Sequence, residues 1–335
     1  GDHRDLHSFP TRRSSDLYMV VATAPSVDGY TSYGAAVSIK GFKQTLSCAA
    51  PMVVLADTDI LCEAPAEMIA SGYGDCMAKY TAGMDWILAD LLGVQPIRDD
   101  VWEMVQKPLR LVYAHHKGIA NRQREGIGLL FDALSASGFA MQIMHDSRPA
   151  SGAEHLISHI WEMEHLSKDG LPVSHGFKVA VGTMAIAHLY EELAMLDITE
   201  CYGKPTQSWE ERKQAILSFF PNKTVAEEAL SVSKAKFLEG EALQARRKAL
   251  IALLPTLKER ISVQLPPSKE LRDSLIEVGC PVHPSHINAT LEDLKRAVTG
   301  AQMIRNRYTV LDLYYELGLF DRALQSLEAL SGRVG

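Results

Sequence analysis

The stretch Arg148-Pro-Ala-Ser-Gly-Ala-Glu-His155-Leu-Ile-Ser-His159 decides how this chain is read. Ser151-x-x-Glu154 has the form of a capping box, which predicts a helix over Gly152–Leu166 with Ser151 as its cap. His155 then falls in the first turn, and His159, four residues on, shares its face. Two imidazoles on one helical face can share a metal or a substrate. Without further context such a pair is more often part of a polar core.

Outward from this stretch the chain reads as helix after helix. Further helices are expected over Asp75–Leu92, Asn121–Ser137, Ser208–Phe220, Val225–Leu253 and Leu291–Leu317, with Ser208-x-x-Glu211 as a second capping box. Prolines 205, 255, 266, 267, 281 and 284 punctuate the loops. Upstream of about Glu63 the character differs. Tyr18–Thr23 and Met52–Asp57 are short apolar runs with the look of buried strands, and Ala35–Ile39 with Gln44–Cys48 reads as a hairpin. The expected architecture is α/β plus all-α: the tail end of an α/β domain over 18–62, then a large helical domain over 63–335.

Composition limits the function. The 335 residues are 47% hydrophobic, long enough for two domains and too apolar for a disordered chain. A net charge of −7 argues against a nucleic-acid partner. No apolar run stands out as a membrane span. The five cysteines are odd in number and scattered, which points to reduced thiols and a cytoplasmic location, and the absence of a CxxC pair excludes a structural zinc finger. Residues 1–17, GDHRDLHSFPTRRSSDL, match the conceptual translation of a common short-read sequencing adapter along their whole length. They are set aside as not native, His3 and His7 included.

Three more segments carry chemistry. In Gly72-Tyr-Gly74-Asp75-Cys-Met-Ala-Lys79 the glycines are read as a turn that opens a helix with Asp75 at its start. Ser174-His175-Gly176 precedes the apolar helix of Val179–Met195. One aspartate and two histidines make a three-ligand metal site with an open fourth position, although the spacing does not by itself bring them together. Thr23-Ala-Pro-Ser26-Val-Asp28-Gly29-Tyr-Thr-Ser32 follows a predicted strand, where α/β sheets bind their ligands.

Taken in order, Ala22–Ser32, Gly72–Lys79, Ser147–Glu164 and Ser174–Gly182 resemble the glycerol-1-phosphate dehydrogenase family, in particular its bacterial branch, within the superfamily of dehydroquinate synthases and iron-type alcohol dehydrogenases. The resemblance runs from about Tyr18 to Leu317. It implies a nucleotide-binding α/β domain joined to a helical metal domain, and an oxidoreductase that reduces dihydroxyacetone phosphate to sn-glycerol 1-phosphate with NAD or NADP as cofactor, in glycerophospholipid metabolism. It implies that Asp75, His155 and His175 hold a divalent metal, zinc or nickel. Asp28, Asp75 and His159 would contact substrate, with Asp28 and His159 as the catalytic pair. Thr23, Ala24, Pro25, Ser26 and Ser32 would contact the dinucleotide. Lys79, Arg148 and Lys178 are candidates for the substrate phosphate by their nearness to the motifs.

The family's glycine-rich loop, Gly-Gly-Gly-x-x-x-Asp, has no counterpart in this sequence. The resemblance therefore implies that the first strands of the nucleotide domain are missing upstream of Tyr18 and that the chain is inactive by itself. The helices after Asp197 offer the back of the metal domain and a surface for a homo-oligomer. Alternatives within the superfamily are a glycerol dehydrogenase or a dehydroquinate-synthase-like lyase, and outside it a non-catalytic, metal-binding helical protein.

Overall fold

The computed structural model describes residues 18–39, 42–46, 48–197, 201 and 207–333. Residues 1–17, read above as adapter, lie outside the described residues. The chain runs through β1 (Met19–Ala22), a 3₁₀ turn at Asp28–Thr31, a hairpin of β2 (Ala35–Ile39) and β3 (Phe42–Leu46), and β4 (Val53–Ala56). β4 lies parallel to β1, with Met19 opposite Val53 and Ala22 opposite Ala56, and the hairpin sets Ala35 opposite Leu46. Cys48, expected within the second hairpin strand, falls just beyond it. Strand residues alternate between faces, so Met19, Val21, Val53 and Leu55 share one face of the β1–β4 pair. Each of these four is between 47% and 59% exposed.

Helices follow: α1 (Thr58–Cys62), α2 (Ala66–Met77), α3 (Lys79–Leu91), α4 (Asp99–Ala114), α5 (His116–Ala120), α6 (Arg124–Met144), α7 (Ala153–Met163), then a two-residue hairpin of β5 (Ser167–Lys168) and β6 (Leu171–Pro172), and α8 (His175–Met195). Beyond them come α9 (Trp209–Phe219), α10 (Lys223–Lys236), α11 (Gly240–Gln264), α12 (Ser268–Val278), α13 (Leu291–Ala301), α14 (Val310–Glu316) and α15 (Phe320–Ser326). One apolar core joins most of them, and α8 runs through it, packed on α2 and α7. Tyr73, Trp161 and Tyr190 are among its largest fully buried side chains, and the equally buried Trp86 packs in a smaller cluster with Val101, Val105 and Ala140. By length and hydropathy α6 reaches the measure of a membrane span, which the sequence reading did not single out. In this fold α6 packs against α1, α2, α4, α5 and the 3₁₀ turn.

Several expected boundaries move. Asp75 was placed at a helix start, but α2 begins nine residues earlier at Ala66 and Asp75 sits in its last turn. The glycines serve close packing rather than a turn. A Cβ on Gly72 would come within 1.7 Å of the Pro25 carbonyl oxygen, and one on Gly176 within 1.8 Å of the Ser71 carbonyl oxygen. Backbone meets backbone at both places, which holds α2 against the Ala24–Ser26 loop on one side and the start of α8 on the other.

Ser151 is not the cap of α7. Gly152 occupies that position, and the Ala153 N–H donates instead to Asp85 Oδ2 at 2.8 Å. Glu154 has turned to a different task, described below. The expected helix Val225–Leu253 is two, α10 and α11, because Phe237 is extended and packs edge-on to Trp209, and Gly240 takes a positive φ. The expected helix Leu291–Leu317 also divides, since Thr309 and Asp312 form a capping box that starts α14. The Ser208–Glu211 box forms as read.

Candidate active site and metal centre

Asp75 from the end of α2, His155 from the first turn of α7 and His175 from the first residue of α8 meet at one point. One ligating atom from each lies within 4.8 Å of the others. His155 Nε2 is 3.3 Å from Asp75 Oδ1, and the two imidazoles lie 5.4 Å apart at their centroids. A tetrahedral ion with bonds of about 2.1 Å spaces its ligands roughly 3.4 Å apart, so small side-chain rotations bring the three onto one ion.

Each histidine is held from behind by a carboxylate. His155 Nδ1 pairs with Glu154 Oε1 at 2.7 Å, and His175 Nδ1 pairs with Glu162 Oε1 at 2.8 Å. Pairing Nδ1 in this way directs Nε2 inward and raises its basicity, the usual support for a metal-ligating imidazole. Glu154 is itself fixed by the Gly152 N–H at 2.6 Å and the Thr81 hydroxyl at 2.8 Å. That is the physical reason the capping-box reading of Glu154 failed. Both glutamates escaped the sequence reading, although Glu154 adjoins His155 and Glu162 lies two turns along the same face.

Asp75 is completely buried. Its Oδ2 accepts the Asp28 N–H at 3.0 Å, and its Oδ1 accepts from Lys79 Nζ at 2.8 Å. Burial pushes its carboxyl up, but the charge of Lys79 and the two histidines outweigh burial and hold it well below the usual carboxylate range. Lys79 also reaches Asp28 Oδ2 at 2.7 Å, and these two acids keep its ammonium above its ordinary value despite burial. Burial opposes charge on His155 too, yet its hydrogen bonds to Asp75 and Glu154 raise it to about 9. His155 thus stands between two acids, its Nε2 toward Asp75 and its Nδ1 toward Glu154.

His159 lies one turn beyond His155 on α7 and outside the three-residue cluster. Burial and then the charge of Arg305 push it well below its ordinary value. Its Nδ1 is buried without a partner among the described residues. His155, His159, His175, Asp28 and Ser32 line a common cavity of about 700 Å³, with Ser147, Ser151 and Glu162. A second cavity of about 810 Å³ shares Val27 and His175 with it and includes Ser26.

The dinucleotide candidates divide. Ser32 lines the first cavity and Ser26 the second. Ala24 and Pro25 are buried and line neither. Thr23 is exposed and lines neither. The three phosphate candidates are placed elsewhere. Lys79 is consumed by Asp28 and Asp75. Arg148 is fully buried and donates to the Tyr308 carbonyl at 2.9 Å and the Asp85 carbonyl at 2.5 Å, a structural tie. Lys178 is buried beside Glu162, 3.6 Å away. Nearness in sequence put them next to the motifs, but helical geometry turns the two lysines into the protein, and Arg148 is buried in the turn ahead of α7.

Comparison with known proteins places the chain among relatives. A family described as iron-containing alcohol dehydrogenase matches residues 1–65. A protein from Geobacillus stearothermophilus named glycerol-1-phosphate dehydrogenase, NAD(P)+, is 34% identical over 318 residues, which cover 95% of this chain and 70% of its own length. The protein of the same name from Geobacillus thermodenitrificans is 42% identical over 205 residues, 61% of this chain and 51% of its own. This chain thus spans between half and 70% of the length of these relatives. Among solved structures, a probable glycerol dehydrogenase from Sinorhizobium meliloti matches with a TM-score of 0.55 at 14% identity, over 95% of this chain and 72% of that one. A sulfoacetaldehyde reductase from Bifidobacterium kashiwanohense, in complex with NAD+, matches with a TM-score of 0.50 at 14% identity, over 93% and 66%. At that identity the likeness is one of fold.

Proposed function

The chain belongs to the glycerol-1-phosphate dehydrogenase family, and on that premise we propose that it carries the metal and substrate half of an enzyme that reduces dihydroxyacetone phosphate to sn-glycerol 1-phosphate with NADH or NADPH. The observation that carries this reading is the meeting of Asp75, His155 and His175 in a cavity that also holds Asp28 and His159. Asp75, His155 and His175 would hold one divalent ion. Two imidazole nitrogens and a carboxylate, each fixed from behind, suit a borderline ion such as zinc or nickel. When bound, the metal supplies positive charge to the substrate's ketone oxygen and the nicotinamide supplies hydride.

The chain's own residues do the rest. Asp28 closes the cavity beside the ligand cluster, its carboxylate held by Lys79. It can accept a hydrogen bond from a substrate hydroxyl while its N–H keeps Asp75 in place. His159 is neutral near pH 7, so it offers one N–H and one lone pair and passes a proton on rather than storing one. Ser26 and Ser32 mark where the nicotinamide end of the dinucleotide would reach the cavities. The sequence has no glycine-rich turn for a pyrophosphate, so the 335-residue chain alone is expected to bind metal without turning over.

The test is metal titration of this chain, and NADH oxidation by the full-length gene product with dihydroxyacetone phosphate and with unphosphorylated dihydroxyacetone. The reading expects one tight ion per chain, and an activity that chelator removes, zinc or nickel restores and the phosphate requires. Robust NADH oxidation by the 335-residue chain would overturn its assignment as the metal half alone, and indifference to the phosphate would favour a glycerol dehydrogenase.

A further inference from the structure

Asp85 lies outside the ligand cluster, yet it ties together the elements that supply the ligands. It sits on α3, which follows the Asp75-bearing α2 with only Ala78 between them, and Ala78 keeps helical dihedrals. Its Oδ2 accepts the Ala153 N–H at 2.8 Å, at the first residue of α7 and two residues ahead of His155. Its Oδ1 accepts the Tyr190 hydroxyl at 2.6 Å, from the helix that begins with His175, and the Val310 N–H at 2.8 Å, at the first residue of α14. The carboxylate is completely buried. Burial and then the charge of Glu154 raise it to about 7, so the fold keeps this acid at a cost that packing alone does not require. Gly152 lies between the two acids and has no room for a side chain. A Cβ there would come within 2.6 Å of Asp85 Oδ2 and 2.9 Å of Glu154 Oε2. Two buried carboxylates thus share one turn, and they divide its N–H groups: Glu154 takes that of Gly152, and Asp85 that of Ala153.

From this division we infer that Asp85 is a positioning residue of the metal centre: by holding the Ala153 N–H it fixes the first turn of α7 and leaves Glu154 to hold His155, so that Nε2 faces the ion. Without Asp85, the Ala153 N–H is a buried helix-end donor stripped of its acceptor. The sequence already suits Glu154 to capping, three positions after Ser151, and with Asp85 gone that role is open to it at the expense of His155. The imidazole then loses the carboxylate that orients its ring and strengthens Nε2 toward a metal. Asp85 acts on the ion through Ala153 and Glu154, without touching it. A purely structural role would differ, since losing the acid would then loosen the fold and leave the folded molecules as good at binding metal as before.

This inference rests on the metal reading of the cluster, and its test is arranged so that the two can fail separately. The zinc affinity of the 335-residue chain is measured by competition with a chelating dye, at a pH about one unit above the Asp85 value so that its carboxylate is charged. Wild type is compared with Asp85→Ala, Glu154→Gln, the double variant and Tyr190→Phe, each with a thermal melt. Asp85→Ala is expected to weaken zinc about 10–100-fold, in the range of groups that support a ligand. The double variant should lose no more than Glu154→Gln alone, because the two acids act along one line. Tyr190→Phe removes one bond to the same carboxylate but spares the Ala153 N–H, so its melt falls while its zinc affinity stays within about twofold of wild type. In wild type, zinc should slow hydrogen exchange of the Ala153 amide more than that of the Val310 amide, since binding and the bond that supports it are reciprocal. This last arm needs no variant, and it decides the matter where Asp85→Ala does not fold. Unchanged zinc affinity in Asp85→Ala, additive losses in the double variant, a fall in Tyr190→Phe as large as in Asp85→Ala, or equal slowing of the two amides each overturns the inference while the metal centre stands. Failure of wild type to bind zinc overturns the proposed function and the inference with it.

Discussion

Lys79 Nζ lies 2.7 Å from Asp28 Oδ2, joining the loop after β1 to the junction of α2 and α3. The same ammonium is 2.8 Å from Asp75 Oδ1, so one buried cation serves two buried acids. Removing it strands both. Lys79→Met is expected to destabilise the metal-free chain by about 3–5 kcal/mol, the usual cost of breaking a buried pair on one side. Added zinc should recover part of this, because an ion at Asp75 replaces the lost charge. Urea denaturation with and without zinc checks both statements, and a variant as stable as wild type would show that the acids are protonated instead.

Glu162 holds His175 from behind, its Oε1 2.8 Å from Nδ1. Glu162→Gln keeps the shape but weakens the acceptor, and metal affinity is expected to fall about 10–100-fold, in the range of other supporting carboxylates. Thermal stability should change far less than it does in Lys79→Met. Competition with a chelating dye gives the affinity; an unchanged value would make Glu162 a bystander.

The proton on His155 competes with metal for the same place. In the metal-free chain His155 is raised to about 9 from its ordinary 6.5. Its charged form therefore adds stability fully below pH 6.5, and that contribution is lost as pH rises to about 9. Metal affinity runs the other way, climbing roughly tenfold per pH unit up to about 9 and then levelling off. Zinc titrations at pH 6.5, 7.5 and 8.5, with proton release followed in weakly buffered solution, test the slope. A flat profile would mean that the proton resides elsewhere.

Met19, Val21, Val53 and Leu55 form an apolar face on the β1–β4 pair, each close to half exposed. Such a surface favours association between chains. The 335-residue chain is expected to self-associate at micromolar concentration, and Val21→Lys with Leu55→Thr should reduce this without altering zinc binding. Light scattering against concentration decides the point, and equal scattering by both forms would place the association elsewhere.

Much of the site could be read in the sequence because it is written in short range. His155 and His159 share a face by helical periodicity alone, and four short motifs in one order were enough to suggest the family and a set of ligands. What periodicity could not supply was how α2, α7 and α8 approach one another. That is settled by glycine contacts, Gly72 on the Pro25 carbonyl and Gly176 on the Ser71 carbonyl, where the absence of a side chain lets backbones touch. The same glycines suggested a turn to the sequence reading, because a glycine's freedom and its small size look alike in one dimension. Glu154 matched a capping box until Asp85, remote in sequence, took over the start of α7 and released it to His155.

The sequence by itself determined the helical character of the chain, the pairing of histidines on one face and the set of residue types able to bind an ion. Only the tertiary structure decided which carboxylates stand behind the histidines, which lysines and arginines are spent inside the protein, and that Arg307 ties together Asp146, Ser147 and Ser151 at the cavity wall. The reason is that a charge is defined by its surroundings. Lys79, Arg148 and Lys178 are cations in any sequence, but burial against acids and carbonyls leaves them nothing to give a ligand, and those neighbours lie tens to hundreds of residues away along the chain.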